Sequence, residues 1–174
     1  NPPIRYTEDK NSLWKRLKDG TIDCVVTDHA PHTLEAKSLG FPQAPSGMPG
    51  VETSLPVMLN YVNEGRCSLE DVVRWMSTNV ADCYRMVGKG KLELGYDGDI
   101  VLVDMNHSAV VEDESSWTRV GWNPFRGREL TGWPVLTVVE GVPVFERSEG
   151  TGQKGRLLVE PGAVGKPLLM EPWK

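Results

Sequence analysis

The chain has 174 residues and a formal net charge of −5, with 39% hydrophobic and 25% charged residues. This composition excludes an intrinsically disordered protein and is typical of a folded globular chain. The acidic balance, without any Lys/Arg cluster, argues against a nucleic-acid-binding protein, and no apolar run is long enough to span a membrane.

The first thirty residues are predicted to form a helix, a turn and a strand, as in one α/β repeat. The chain starts at Asn1 and not at Met, so we expect either a processed N-terminus or the C-terminal piece of a larger protein. Thr7 is the predicted N-cap of the helix, which Gly20 ends. The β-branched run over residues 22–27 predicts a buried strand. One helix–strand pair cannot make a barrel, so this strand needs partners from elsewhere.

A polar cluster, Thr27-Asp28-His29-Ala30-Pro31-His32, begins where the predicted strand ends. The carboxyl ends of parallel barrel strands carry active sites, so Asp28 is a candidate metal ligand and proton-transfer group. His32 could donate a hydrogen bond to an anionic substrate, or it could be an exposed loop side chain. His29 leaves the strand on the other face and is expected to support the packing. The alternative is a polar turn in which Asp28 caps the next segment.

Helices are predicted to follow a long loop. Residues 33–50 are rich in Gly and Pro, and a loop of this length next to a polar cluster is expected to be functional. A helix is predicted over residues 53–63. The sequence Ser68-Leu69-Glu70-Asp71 predicts a capping box at the start of a second helix, and a separate short helix is predicted over residues 79–86.

The pattern changes from helices to strands after Gly90. Residues 99–104 and 109–111 are predicted strands. Residues 135–145 are a predicted β-hairpin with a tight turn at Glu140-Gly141. The sequence therefore predicts a helical part and a β part, with the boundary near residue 90.

The three cysteines, Cys24, Cys67 and Cys83, are widely spaced and include no C-x-x-C pair. This usage predicts free thiols in a reducing compartment, and hence a cytoplasmic protein. No basic stretch followed by an apolar one suggests a secretory signal.

A complete metal site is not expected from this chain alone. A catalytic zinc site needs three protein ligands, and Asp28, His29 and His32 cannot easily converge on one ion from a strand end and a proline turn. Any metal at Asp28 would therefore need ligands from residues absent here. The nucleophile motif G-x-S-x-G and the nucleotide-binding glycine motifs are also absent.

Three stretches occur in a characteristic order: NPPIR at residues 1–5, TDHAPHT at 27–33 and APSGMPGVET at 44–53. Their order and spacing resemble the C-terminal third of bacterial class I dihydroorotases. Residues 90–104, together with NPFRGRELTG at 123–132, are similar to the return of the chain to the small β domain of the amidohydrolase superfamily.

The resemblance covers about residues 1–147 and implies an α/β fold. The chain would comprise the C-terminal part of a TIM-like (β/α)8 barrel plus part of a small β-sandwich domain. Residues 1–90 would be the barrel segment, residues 91–147 the small β domain and residues 148–174 an extended tail. The H-x-H-x-R motif, the metal-bridging Lys or Asp and two later His ligands of the family are missing, so this fragment alone is expected to be inactive.

The resemblance also implies a reaction, the zinc-dependent and reversible interconversion of dihydroorotate and N-carbamoyl-aspartate in pyrimidine biosynthesis, with one or two zinc ions. Asp28 would be a zinc ligand and the general base, and it would protonate the leaving nitrogen. His32 would hold the substrate carboxylate and Asn1 would contact the pyrimidine ring. Ser46 and Gly47 would contact the substrate mainly through their backbone.

Two alternatives stay open at this stage. One is a hydantoinase- or allantoinase-like hydrolase, against which the TDHAPHT motif and Asn1 favour dihydroorotate. The other is a metal-free, dihydroorotase-like scaffold for aspartate transcarbamoylase, against which Asp28 and His32 argue. The expected partners are the small-molecule substrate, the missing N-terminal half of the barrel, and either aspartate transcarbamoylase or a second copy in a homodimer.

Overall fold

A computed structural model describes residues 4–147, 154–160 and 162–172 of the chain, so Asn1 lies outside the described residues. Helices form the first half and strands the second. The helices are α1 (Thr7–Lys18), α2 (Leu34–Lys37), α3 (Ser54–Asn63), α4 (Leu69–Val73) and α5 (Asn79–Tyr84). The strands are β1 (Ile100–Val110), β2 (Glu129–Val139), β3 (Val142–Glu146) and β4 (Arg156–Leu157). The predicted α/β class is confirmed.

Helix α1 forms as predicted, but its N-cap does not. Tyr6 is the N-cap, with an extended backbone and no side-chain capping bond, and Thr7 is the first helical residue. Acidic residues occupy the first turn and basic residues the last, which suits the helix dipole. Leu17 is buried against the neighbouring helices.

The prediction of a strand over residues 22–27 is wrong. The segment belongs to none of the strands, and its backbone bonds to the helical unit instead: Val25 N donates to Trp75 O at 3.0 Å, and Asp23 O accepts from the Asn79 amide at 2.8 Å. A strand requires a neighbouring strand to receive its hydrogen bonds, and none of the described strands lies beside this segment. Val26 is 72% exposed, whereas Ile22 and Val25 are half-buried against the helical core.

The two helices predicted after residue 68 are one continuous unit. The predicted capping box is confirmed, because the Ser68 hydroxyl accepts from Asp71 N and the Asp71 carboxylate accepts from Ser68 N. The chain then passes from α4 through a π-helical turn, Arg74–Thr78, into α5 without a break. The unit ends at Tyr84 because Arg85 adopts a left-handed conformation with φ 54°.

The strands form one antiparallel sheet in the order β1-β2-β3-β4. The two strands predicted over residues 99–111 are a single strand, β1, whose pairing with β2 is irregular between Asp104 and Ser108. The predicted hairpin is confirmed. Glu140 and Gly141 both have positive φ, at 50° and 80°, as the tight turn of a two-residue hairpin requires.

Helix α3 joins the two halves. The Asn60 amide oxygen accepts from Thr131 N at 2.9 Å, and the Asn63 amide donates to Thr131 O and Met105 O. Gly132 permits this contact, because a Cβ there would lie 2.6 Å from the Cβ of Leu59, which is fully buried. The helical core consists of Leu17, Met58, Val72 and Trp75, and the sheet core of Ala109, Val111, Leu130 and Trp133.

The C-terminal residues that the structure describes contact both halves. Strand β4, within the predicted tail, pairs with β3, and Met170 forms an isolated bridge with Met86. Across the described ranges, no helix has the length and apolar composition needed to cross a membrane.

The three cysteines form no disulfide bond within the described residues. Cys24, Cys67 and Cys83 are free, although the sulfur atoms of Cys24 and Cys83 lie 3.9 Å apart. Partial burial, together with the contact to Cys83, raises the pKa of the Cys24 thiol.

Candidate active site

Asp28 directly follows residues 22–27, the unpaired segment, and lines a pocket. Its backbone has φ 45°, a left-handed conformation that a non-glycine residue rarely adopts and that is often found at functional sites. Its side chain is exposed. The pocket has a volume of about 480 Å³. It is lined by Thr27, Asp28, Lys37, Gly47, Met48, Trp122 and Pro124.

His29 supports the loop that precedes α3. Its Nδ1 atom accepts hydrogen bonds from Gly50 N at 3.0 Å and Val51 N at 3.2 Å. Accepting at Nδ1 leaves the proton of the neutral imidazole on Nε2. His29 therefore has the supporting role that the sequence predicted, and it anchors the segment directly after Asp28.

Gly47 packs tightly against the polar cluster. It has φ 108°, and a Cβ at this position would lie 2.7 Å from Ala30 Cβ and 2.8 Å from Ala30 O. The same Cβ position is 3.5 Å from His32 Nε2. A side chain at residue 47 would be strained and would collide with the cluster, so glycine brings the loop backbone next to His32.

The structure adds Lys37, which the sequence analysis did not single out. Thr33 caps α2 by accepting from Ala36 N at 3.2 Å, and Lys37 lies in the last turn of this short helix. Its Nζ donates to Pro45 O at 2.8 Å and to Gly47 O at 2.7 Å. The one available signal was that Lys37 is the single basic residue among residues 33–50.

Trp122 is a second addition, and it comes from the β half. It lies in the connection between β1 and β2, and its Nε1 donates to His32 O at 2.7 Å. The same connection is tied to the helical half at Glu52, whose carboxylate accepts from Trp117 N at 2.7 Å and Thr118 N at 2.8 Å. The β half thus supplies one wall of the pocket.

The structure brings most of the predicted site residues together. Asp28 and Gly47 line the pocket. His32 lies beside Gly47, and its backbone carbonyl accepts the hydrogen bond from Trp122. Ser46 is exposed on the same loop, next to Gly47. Asn1 is outside the described residues.

The pocket does not form a metal site by itself. Among residues 4–147, 154–160 and 162–172, no group of three or more His, Cys, Asp or Glu side chains could hold a metal ion. Asp28 contributes the one carboxylate of the pocket lining, and zinc needs at least three protein ligands. The described residues do not complete a zinc site by themselves, but they can bind a small polar molecule and accept or return a proton at Asp28.

Comparison with known sequences assigns most of the chain to one family pattern. The model of the amidohydrolase family matches residues 5–144. The dihydroorotase of Anoxybacillus flavithermus is 41% identical over 152 residues, which are 86% of this chain and 35% of that protein. The dihydroorotase of Pyrococcus furiosus is 35% identical over 162 residues, or 92% of this chain and 37% of that protein. The chain thus spans little more than a third of the length of these curated relatives.

Solved structures of similar fold carry hydantoinase names. The L-hydantoinase (dihydropyrimidinase) of Arthrobacter aurescens matches with a TM-score of 0.81 and 38% identity, over 91% of this chain and 35% of that one. The D-hydantoinase (dihydropyrimidinase) of a Thermus species matches with a TM-score of 0.78 and 30% identity, over 83% and 32%.

Proposed function

This chain belongs to the amidohydrolase family, and on that premise we propose that it is the C-terminal part of a dihydroorotase. The whole protein would reversibly interconvert dihydroorotate and N-carbamoyl-aspartate in pyrimidine biosynthesis. The observation that carries the proposal is the exposed Asp28 carboxylate, held at positive φ and opening into a pocket with Gly47 and Trp122. Dihydroorotase relatives at 35–41% identity support the choice of substrate.

The pocket residues would divide the chemistry as follows. Asp28 would take a proton from the attacking water and deliver it to the amide nitrogen that leaves, because one carboxylate can do both in sequence. His32 would donate a hydrogen bond to the substrate carboxylate. Ser46 and Gly47 would contact the substrate through their backbone, and Asn1 would contact the ring.

Zinc dependence is part of the proposal, with one or two ions. Asp28 would contribute one ligand, and the remaining ligands would come from residues that this chain does not contain. Since the described residues hold too few ligands, we expect this chain to be inactive when it is separated from the others.

The proposed N-terminal part of the barrel would cover an apolar face beside the unpaired segment. Ile4, Leu13 and Val26 are 62%, 40% and 72% exposed and line a shallow apolar groove with Trp14 and Val25. Three large apolar side chains exposed on one groove are unusual for a free surface. A barrel portion preceding residue 1 would bury these side chains and pair with residues 22–27. Residues 1–90 would then be the barrel segment and residues 91–147 the small β domain.

The remaining expectations belong to the same proposal. The protein would be cytoplasmic, and its partners beyond the substrate would be aspartate transcarbamoylase or a second copy of itself. A metal-free scaffold is less well supported, because Asp28 faces the open pocket.

The second candidate function is hydrolysis of a hydantoin-type ring. It is favoured by the match to the L-hydantoinase structure at 38% identity. Both candidates open a cyclic amide, so the pocket chemistry at Asp28 would be shared and only the ring contacts would differ.

Assays of the full-length protein separate the two candidates. We expect turnover of dihydroorotate that a metal chelator abolishes and added zinc restores. Turnover of hydantoin alone would replace the first candidate by the second. Turnover of neither substrate by metal-loaded protein would favour the scaffold.

A further inference from the structure

The loop at residues 45–47 lies between α2 and α3, and Ser46 and Gly47 are exposed. Gly47 packs against Ala30, and Met48 O accepts from Ala30 N at 3.2 Å. No helix or strand includes the loop, so its backbone orientation depends on the groups that bind its carbonyls.

Lys37 binds two of these carbonyls at once. Its ammonium lies 2.8 Å from Pro45 O and 2.7 Å from Gly47 O, on either side of Ser46. Charge-assisted hydrogen bonds of this length are stronger than bonds between neutral groups. The side chain is also half-buried and lines the same pocket as Asp28.

These two bonds determine where the neighbouring amides point. In a trans peptide unit the C=O and the following N–H point in opposite directions. Fixing Pro45 O towards Lys37 therefore directs Ser46 N–H away from it, and fixing Gly47 O does the same for Met48 N–H. One ammonium thus sets the orientation of two peptide units beside the pocket.

We propose that Lys37 is a positioning residue that holds residues 45–47 in the conformation that binds the substrate. The proposal rests on the proposed function, because it takes Ser46 and Gly47 as substrate contacts. Lys37 acts through the loop and does not need to touch the reacting atoms. Helix α2 places it there, since this helix begins directly after His32 and is capped by Thr33.

Three variants of the full-length protein test this role. Lys37→Met keeps an unbranched side chain, one atom shorter, but removes the charge and the donors, whereas Lys37→Arg keeps both the charge and the donors. Lys89→Met is the matched control, because Lys89 also joins two partners, Asp97 and Asp99, but lies in another part of the fold. The measurements are hydrogen exchange of the peptide that contains residues 44–49, and KM and kcat on dihydroorotate and on hydantoin.

We expect Lys37→Met to speed exchange of the loop amides and to raise KM by about tenfold, with kcat changed less than about twofold, because one or two charge-assisted hydrogen bonds are lost. Lys37→Arg should keep the loop exchange rate and KM close to those of the unmodified protein. Lys89→Met should leave the loop exchange rate and KM unchanged. This split would not result from a general loss of stability.

Two results would overturn the proposal. Unchanged loop exchange in Lys37→Met would show that Lys37 does not hold the loop, whether or not the protein turns over either substrate. Faster exchange with an unchanged KM would show that the loop does not bind the substrate. Failure of the proposed function is a separate result, since it would appear as no turnover by the unmodified protein.

Discussion

Two segments of this chain have similar apolar, β-branched sequences and different structures. Residues 22–27 belong to no described strand, whereas residues 135–145 form the β2–β3 hairpin with its two-residue turn. In the hairpin, Val139 pairs with Val142 across the tight turn, and this turn brings β3 back alongside β2. The first segment has no such partner among the described strands. A strand-like sequence thus forms a strand when the hydrogen-bonding neighbour is within reach.

The two regions are also expected to serve different purposes, one catalysis and the other stability. The unpaired segment leads into Asp28, which lines the pocket, whereas the sheet contains a buried core around Leu130. Substitution of Asp28 should therefore change turnover, and substitutions in the buried core of the sheet should change the free energy of unfolding.

The largest expected effect is that of Asp28→Asn in the full-length protein. We expect kcat to fall by roughly 10²–10⁴-fold, because the amide cannot accept the proton that the carboxylate takes. Asp23→Asn, an exposed change on the same segment, is the control and should retain activity. Near-normal turnover by Asp28→Asn would refute the role assigned to this carboxylate.

Leu130→Ala tests the stability of the sheet half. Leu130 is fully buried, so truncation should lower the free energy of unfolding by about 2–5 kcal/mol, measured by urea titration of the chain. Val26→Ala, in the unpaired segment, should cost far less in this chain because Val26 is 72% exposed. Equal costs would remove the contrast between the two regions.

Trp122→Phe tests whether the β half shapes the pocket. The change keeps an aromatic ring but removes the Nε1–H donor to His32 O, so we expect KM to rise by about fivefold, as for the loss of one hydrogen bond. Trp117→Phe removes a comparable bond, to Lys154 O, outside the pocket. An equal change in KM in Trp122→Phe and Trp117→Phe would contradict a specific role of Trp122 in shaping the pocket.

The smallest expected effect is a pH dependence at the junction between the halves. The Lys89 ammonium and the Glu140 N–H hold the pKa of Asp99 below its ordinary value of 3.8. A depressed pKa in the folded state contributes stability that is present above 3.8 and is lost as pH falls through the lower folded value. Asp99→Asn should make urea midpoints less dependent on pH in this acidic range, and an unchanged slope would contradict the assignment.

Local sequence signals were sufficient for several elements. The capping box at Ser68, the helix over residues 54–63 and the Glu140-Gly141 turn depend on contacts within a few residues, and all three are present. The predicted break before residue 79 is absent, because α4 continues through a π turn, in which Trp75 is buried, directly into α5.

The candidate site was only partly predictable. Asp28, His32 and Gly47 could be found from the motif at the end of an apolar run, because they are close in sequence or belong to one loop. Lys37 has a weak signal as an isolated cation. Trp122 could not be placed, because its bond to His32 joins residues separated by 90 positions.

The sequence by itself determined most helices, the hairpin and the polar cluster that ends at His32, since each depends on short-range periodicity or turn chemistry, and its family resemblance implied the α/β class. The tertiary structure alone decided that residues 22–27 have no partner among the described strands and that Lys37 and Trp122 complete the pocket. The physical reason is that pairing and pocket walls depend on which distant groups meet, and no local pattern encodes that meeting.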